Sequence, residues 1–287
     1  MCQAQSAAAA ALSSTVRRLT AMRILVHCTR CLQELEQKGV IPKEGSFDSS
    51  VVTFLADFGD QFVARGTCPH GHKYIGYITK ERYDVLYESA VLSFLMGFEL
   101  EAVLGFAASL ERAQELFTLA SLRSTGPDPQ IIERMWKQVS RQSERQLGAF
   151  LTQWLITNNA VFETSQAMVE FRNKVVHRGH IPLREETIKY GSWVNDRLFD
   201  IIEASRRWKD GPVKEIWNAH VSDAHAIALS QHRNDPELKG TPIVSLNPSY
   251  LTKLHMDETS FKRATFEEVC CMAREMAKHH GIKATIF

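Results

Sequence analysis

The residues best suited to chemistry in this sequence lie between Phe171 and Gly179, where Arg172, Asn173 and His177 occur together. An always-charged guanidinium beside an imidazole that titrates near neutrality suits reactions of phosphate groups. On a regular helix, Arg172 and His177 would be about 140° apart, so they share a pocket only if the helix opens at its C-terminal end. Gly179 stands where such a helix would end. In isolation, the same pattern also fits a solvated helix end with basic residues favoured by the macrodipole.

A second group of residues has the spacing of a metal site. Thiolates at Cys28 and Cys31 can hold one ion on a tight turn, and Cys68 with His72 on a second turn would complete a tetrahedral site. His70 is an alternative fourth ligand, but His72 is preferred because such turns often end in Gly-His. A free or redox-active Cys-x-x-Cys pair is the other interpretation, although no βαβ pattern surrounds it. We therefore predict a closed site for a structural Zn²⁺ ion.

Composition restricts the class of protein only loosely. A chain of 287 residues can form one large domain or two, and its net charge of +1 creates no overall field that would attract nucleic acid. No run approaches the roughly 18 apolar residues that cross a bilayer, and the Ala-rich start lacks the basic region of a signal peptide. We expect a cytoplasmic protein with no membrane partner. Residues 1–21 are interpreted as a flexible leader, and Met22 is an alternative start.

The hydrophobic pattern divides the rest of the chain into a small β-rich part and a longer helical part. Residues 22–80 contain short strand-like runs at 51–55, 61–64 and 73–79, and such a small module is expected to need its metal. From residue 81 the spacing is helical, with predicted interruptions at Gly97, residues 126–129 and residues 158–159. The predicted helices are 83–96, one from Phe98 through Phe117, 131–147, 148–157, 163–177 and 185–207.

Residues 209–287 are harder to interpret because repeated Gly and Pro residues interrupt them. A capping-box sequence at Thr265 to Glu268 predicts one terminal amphipathic helix that runs to about His279, with Gly281 following it. Three scattered histidines in this segment, His220, His225 and His232, are expected to lie at the surface. No chemistry is assigned to the segment.

The run Arg172-Asn173-x-x-x-His177 resembles the Arg-x4–6-His signature of the higher eukaryotes and prokaryotes nucleotide-binding (HEPN) superfamily, in which a polar residue commonly follows the arginine. The helical series over residues 81–208 is similar to the helical bundle of that superfamily. A zinc ribbon ahead of such a bundle is similar to bacterial proteins of the group. The resemblance implies a mainly α protein, in which an antiparallel HEPN-like bundle follows a zinc-ribbon-like module.

Many HEPN proteins are metal-independent ribonucleases, so the resemblance implies an endoribonuclease that cleaves RNA through the ribose 2′-OH. His177 would transfer protons, Arg172 would hold the phosphate oxygens, and Asn173 would orient either group. Such nucleases usually join two motifs across a dimer interface, which implies a homodimer. A toxin or antiphage role, with an unidentified regulatory or antitoxin partner, fits the same group. A carboxylate from the early helices often completes such sites, and the candidates here are Glu88, Glu99, Glu101 and Glu111.

Two other functional classes fit the same residues. The bundle could bind nucleic acid or nucleotides without turnover, in which case loss of His177 would change only affinity. Alternatively, both parts could form a dimerising interaction module, which should tolerate loss of Arg172. Nucleotidyl transfer and P-loop or dinucleotide chemistry are not supported, because the corresponding glycine-rich motifs are absent from the sequence.

Overall fold

The computed structural model describes residues 22–39, 53–246 and 263–279. The described residues are mainly helical with one small sheet, which confirms the predicted class in its coarse form. The predicted leader and Gly281 lie outside the described residues. In chain order the elements are β1 (Met22–His27), α1 (Thr29–Gln37), β2 (Thr53–Phe58), β3 (Val63–Thr67), β4 (Lys73–Ile78), α2 (Arg82–Leu95), α3 (Glu99–Ser124), α4 (Pro129–Val139), α5 (Ser143–Asn158), α6 (Gln166–Arg178), α7 (Arg184–Ser205), α8 (Pro212–Asn234), β5 (Ile243–Leu246) and α9 (Phe266–His279), with short 3-10 turns at Arg206–Trp208 and Pro236–Leu238.

Tertiary contacts divide the described chain into two compact units. The first comprises residues 22–39, 53–79 and 219–246, and the second comprises residues 80–218 and 263–279. The segment beyond residue 208 therefore contributes to both units.

The first unit is built on a five-stranded sheet in which sequential strands are neighbours, in the order β1-β2-β3-β4-β5. The first four strands pair antiparallel, whereas β5 lies parallel to β4. Strands β2, β3 and β4 overlap the runs that the alternating pattern predicted. β5 had no comparable signal, since its pairing with β4 depends on a partner about 170 residues earlier in the chain. One small core in this unit consists of Val26, Cys28, Cys31, Phe54, Ala56, Ala64, Cys68 and Tyr74.

The second unit is organised around α3, which packs against α2, α5, α6 and α7. Its apolar residues recur at helical spacing, so Phe106, Leu110 and Phe117 all face the core, as predicted. Phe98 was expected on the same face, but it precedes the helix as its N-cap and is 51% exposed. Gly105 lets α2 approach closely, because a Cβ atom there would lie 2.8 Å from the Cβ of Ala90.

One predicted helix boundary is wrong. The sequence suggested a helix over 131–147 and another from Gly148, whereas the chain leaves the helix at residues 140–142 and re-enters it at Ser143. Gln142 is extended, with φ −139° and ψ 129°, and the side chain of Gln146 donates a hydrogen bond to the Ser140 carbonyl across this break. Gly148 lies inside α5, at a position where even a Cβ atom would have no heavy atom beyond its own helix within 4 Å.

Other helix ends follow the predicted signals. Asp128 accepts a 2.7 Å hydrogen bond from the Gln130 backbone at the start of α4. Asn159 is left-handed, with φ 49°, where α5 ends. Thr265 and Glu268 exchange both hydrogen bonds of a capping box at the start of α9, which confirms that prediction. None of the helices in the described part of the chain combines the length and apolar composition needed to cross a bilayer.

Candidate functional site

The first unit brings Cys28, Cys31, Cys68 and His72 together, and their potential ligand atoms all lie within 4.8 Å of one another. The three cysteines are buried, and His72 is partly buried. This cluster could hold a metal ion. The spacing in the sequence had predicted the same four residues as ligands.

Separations within the cluster match those expected around a tetrahedral ion. With Zn–S bonds of about 2.3 Å and Zn–N bonds of about 2.0–2.1 Å, two sulfur atoms should be about 3.8 Å apart, and sulfur and nitrogen about 3.6 Å apart. The Sγ atoms of Cys31 and Cys68 are 3.9 Å apart. The Nδ1 atom of His72 lies 3.6 Å from Cys28 Sγ and 3.2 Å from Cys31 Sγ. The donor set and its dimensions therefore fit a four-coordinate metal.

Two local structures position the ligands. Cys28 is the N-cap of α1 and Cys31 lies in its first turn, so both thiols approach from the end of the helix that favours negative charge. Cys68 and His72 lie on the turn between β3 and β4, which is closed by a 2.9 Å hydrogen bond from the Gly71 backbone to the Cys68 carbonyl. Gly71 has φ +83°, a conformation that glycine adopts without strain.

His70 and His72 differ in their surroundings, although both rings reach the cluster. The Nδ1 atom of His70 is 3.3 Å from Cys31 Sγ, but His70 is an exposed residue. The second ring nitrogen of His72 lies 3.3 Å from a carboxylate oxygen of Glu34 on α1. A carboxylate that holds the distal nitrogen of a histidine is a common partner of metal-ligating imidazoles. This contact favours His72, and Glu34 is a site residue that the spacing of cysteines could not reveal.

The thiols of the cluster have opposite tendencies to ionise. Burial and the neighbouring thiols of Cys28 and Cys68 raise the pKa of Cys31 to about 12. Burial acts in the same direction on Cys68, but backbone N–H groups of His72 and His70 outweigh it and lower the pKa of Cys68. A cation would displace the proton from Cys31, since metal ligation requires the thiolate.

In the second unit, the predicted motif lies on α6, which remains helical through Arg178. Gly179 ends it in the left-handed conformation with φ +67°, and the Gly179 backbone N–H donates to the Lys174 carbonyl. Because α6 remains a regular helix through Arg178, the side chains of Arg172 and His177 stay about 140° apart around the helix axis. A shared pocket for these two side chains within one chain is therefore not formed.

Arg172 points into the bundle. One of its terminal nitrogens donates a 2.6 Å hydrogen bond to Glu111 on α3, and the other donates a 3.0 Å hydrogen bond to Asn173. The ion pair is partly buried, with 21% of the Arg172 side chain and 32% of the Glu111 side chain exposed. Arg172, Asn173 and Glu111 line a cavity of about 150 Å³. The remaining lining residues are Ala107, Leu110, Gln114, Ser143, Glu144, Leu147, Phe162, Thr164, Met168, Val169, Tyr190 and Trp193.

His177 lies on the solvent-facing side of α6. Asn173 and His177 are four residues apart and neighbours on the helix surface, as are Lys174 and Arg178. All four residues are exposed, so α6 presents one imidazole and two cations together. We call Asn173, Lys174, His177 and Arg178 the polar face of α6. Asn173 also lines the cavity, so this residue connects the cavity to the polar face.

The four glutamates proposed as partners of the motif have different environments. Glu111 is the one that lines the cavity and pairs with Arg172. Glu99 instead accepts a 2.9 Å hydrogen bond from Arg184, and Glu101 is exposed. Burial raises the pKa of Glu88 well above its ordinary value. The sequence could not choose among them, because the choice depends on which turns of α2 and α3 face α6.

Comparisons of this chain with protein-family models, with curated proteins and with solved structures found no match.

Proposed function

We propose that the helical unit is a metal-independent endoribonuclease in which His177 transfers protons at the scissile phosphate. The observation that carries the proposal is the polar face of α6. It exposes an imidazole between cationic side chains on a single stretch of helix. An RNA strand can reach such a surface, and phosphate oxygens are recognised by Lys and Arg side chains.

The reaction that these residues support is an internal transfer of the phosphodiester. His177 removes the proton from the ribose 2′-OH, the 2′-oxygen attacks phosphorus, and the bond to the 5′-oxygen breaks. The leaving 5′-oxygen takes a proton from water, the protonated His177 returns its proton to solvent, and the products carry a 2′,3′-cyclic phosphate and a 5′-OH. Lys174 and Arg178 offset the charge that develops on the phosphorane. Because Glu111 already offsets the charge of Arg172, these two exposed cations are better placed than Arg172 to bind the phosphate.

Cleavage of RNA in the presence of EDTA by the full chain tests this proposal, with zinc content and folding checked for each protein. His177→Ala should lower the rate by about 10²- to 10⁴-fold. A substrate with 2′-deoxyribose at the cleaved position should resist the wild type. The matched control is His225→Ala, which removes another exposed histidine.

The proposal requires both His177 and the 2′-OH. Equal rates for the His177→Ala and His225→Ala proteins would refute the role of His177. Cleavage of the deoxy-substituted substrate would refute attack by the 2′-oxygen. Absence of cleavage with retained RNA binding would instead favour the non-catalytic binding protein.

A second copy of the chain would bring a second motif, from Arg172 to His177, to the same site. Three exposed apolar side chains flank α6, namely Val161 before it and Ile181 and Leu183 after it, with exposures of 81%, 78% and 69%. Apolar residues exposed close to a candidate site are typical of interaction surfaces. We infer that these surfaces support a homodimer with two polar faces at one cleft.

Light scattering should give the mass of a dimer, and Ile181→Glu should shift the measured mass towards that of the monomer. A monomeric wild type would contradict this inference.

For the first unit, we infer that the ion held by the Cys3His cluster is Zn²⁺ in a structural role. Three thiolates and one imidazole are ligands that zinc prefers, and four protein ligands leave no open position for a substrate.

A role of the whole protein as a toxin or antiphage effector stays a prediction, which growth arrest on expression would test.

A further inference from the structure

The cavity beside the Glu111–Arg172 pair has hydrogen-bonding capacity that the described residues do not use. Arg172 carries five N–H donors, and its two hydrogen bonds to Glu111 and Asn173 leave three of them. Glu111 accepts through one oxygen, Oε1, which leaves its second oxygen. The side-chain amide of Gln114 and the hydroxyl of Tyr190 are further polar groups of the lining, on residues that are more than 90% buried. The cavity therefore offers donors and acceptors side by side.

The charge of the lining argues against a phosphate as its occupant. Two carboxylates, Glu111 and Glu144, line the cavity together with a single cation, Arg172. An anion would meet a net negative lining, whereas a neutral molecule with adjacent N–H donors could bind a carboxylate. The phosphate-binding cations, Lys174 and Arg178, lie outside the cavity on the polar face.

The size and the walls suit a flat ring system. A closed cavity of about 150 Å³ accepts benzene, and this cavity has the same volume with exposed residues such as Asn173 and Thr164 at its rim. Phe162, Tyr190 and Trp193 supply aromatic surface, and the rings of Tyr190 and Trp193 are 5.9 Å apart and inclined by 35°. Proteins that read single-stranded RNA commonly stack unpaired bases on such side chains.

We propose that this cavity binds an unpaired guanine base of the RNA. Guanine carries two adjacent donors, N1–H and the 2-amino group, which a carboxylate such as Glu111 can accept together. Its O6 and N7 atoms are acceptors that an arginine can bind with two donors, as Arg172 can do with those it has left. The other bases lack this combination, since adenine and cytosine present one exocyclic amine and uracil a single N–H.

This inference rests on the proposed ribonuclease, because it gives that activity a base preference. Asn173 lies at the cavity and is the helix neighbour of His177, so a guanosine with its base in the cavity would have its ribose and phosphate beside the polar face. His177 is five residues beyond Arg172, which is a rise of about 7.5 Å along the helix axis. Cleavage is therefore expected on the 3′ side of guanosine.

Binding is measured separately from cleavage by using the His177→Ala protein and the 3′-monophosphates of guanosine, inosine, adenosine, cytidine and uridine. Isothermal titration should show that the guanosine nucleotide binds about 10-fold or more tightly than the inosine nucleotide, which lacks only the 2-amino group. The additional Glu111→Gln change should remove this difference. Because the inosine comparison uses an unmodified cavity, it stands even if Glu111→Gln disturbs folding. Equal binding of the guanosine and inosine nucleotides, or no binding of either, would overturn the proposal.

Sequencing of the cleavage products from an RNA of random sequence distinguishes this inference from the ribonuclease proposal. Cleavage by the wild type after guanosine supports both. Cleavage without a preference for guanosine overturns the guanine site and leaves the ribonuclease intact. Selective binding of the guanosine nucleotide without any RNA cleavage supports the guanine site and counts against the ribonuclease.

Discussion

Replacement of Cys31 by serine is the sharpest test of the metal centre. Apart from the ligands, the core around this cluster contains three large buried side chains, Val26, Phe54 and Tyr74. Each contributes about 1.5 to 3 kcal/mol when fully buried. Structural zinc contributes about 10 to 16 kcal/mol to the folding of comparable sites. Since whole domains are stable by only about 5 to 15 kcal/mol, we expect Cys31→Ser to unfold the first unit at 25 °C.

The measurement combines metal content with limited proteolysis. Wild type should contain one zinc ion per chain, and Cys31→Ser much less. New cleavage sites should appear within residues 22–79, whereas helices α2 to α7 should stay protected because they carry no ligand of the cluster. Cys271→Ser is the matched control, because Cys271 is exposed and lies outside the cluster.

Removal of the metal from the wild type by a strong chelator should reproduce the proteolytic pattern of Cys31→Ser, and added zinc should reverse it. A Cys31→Ser protein with the zinc content and protease resistance of Cys271→Ser would refute the reasoning. A protein that loses zinc but stays protected would show that the apolar core suffices without the ion.

Three smaller effects are expected elsewhere. Glu34→Gln should weaken zinc binding by about 10-fold in a competition titration, because the carboxylate holds the distal nitrogen of the histidine ligand. Asn195→Ala should lower the free energy of unfolding by about 2 to 4 kcal/mol in urea denaturation, since Asn195 is buried, accepts a 2.6 Å hydrogen bond from Tyr87 and donates a second one. Gly105→Ala should cost about 1 to 3 kcal/mol in thermal unfolding, because its methyl group would collide with Ala90.

Each of these variants has a control that matches its chemistry. Glu36→Gln changes an exposed glutamate on the same helix as Glu34, and equal zinc affinities for the two proteins would rule out the carboxylate contact. Asn218→Ala removes an exposed asparagine and should leave stability within about 0.5 kcal/mol, so a similar loss in both asparagine variants would contradict the buried network. Gly148→Ala lies in open space, and destabilisation as large as that of Gly105→Ala would exclude a collision as its cause.

Local signals identified much of the helical unit before its packing was known. Helix ends at Asp128, Asn159 and Thr265 depend on hydrogen bonds or backbone angles of residues close together in the chain, so the sequence predicted them correctly. The helix break before Ser143 was missed because no glycine or proline marks it. In the structure, the side chain of Gln146 bridges that break.

Long-range pairing explains what the sequence did not reveal in the first unit. β5 contributes only four residues, and its parallel partner β4 is about 170 residues away, so no periodicity within a short window could place it in the sheet. Glu34 escaped notice for the same reason. Glu34 belongs to the site because its carboxylate contacts His72 on a separate turn, and the spacing of the cysteines gives no information about that contact.

By itself, the sequence determined which residue types stand close enough along the chain to act together: the Cys28–Cys31 pair on one turn, and the arginine and histidine on one helix. Only the tertiary structure decided how those groups are used. It brings two turns together into a cluster with metal-site dimensions, and it separates Arg172, paired with Glu111, from His177 in solvent. The physical reason is that spacing along the chain fixes the angle between side chains on one element, whereas their partners are chosen by packing between elements.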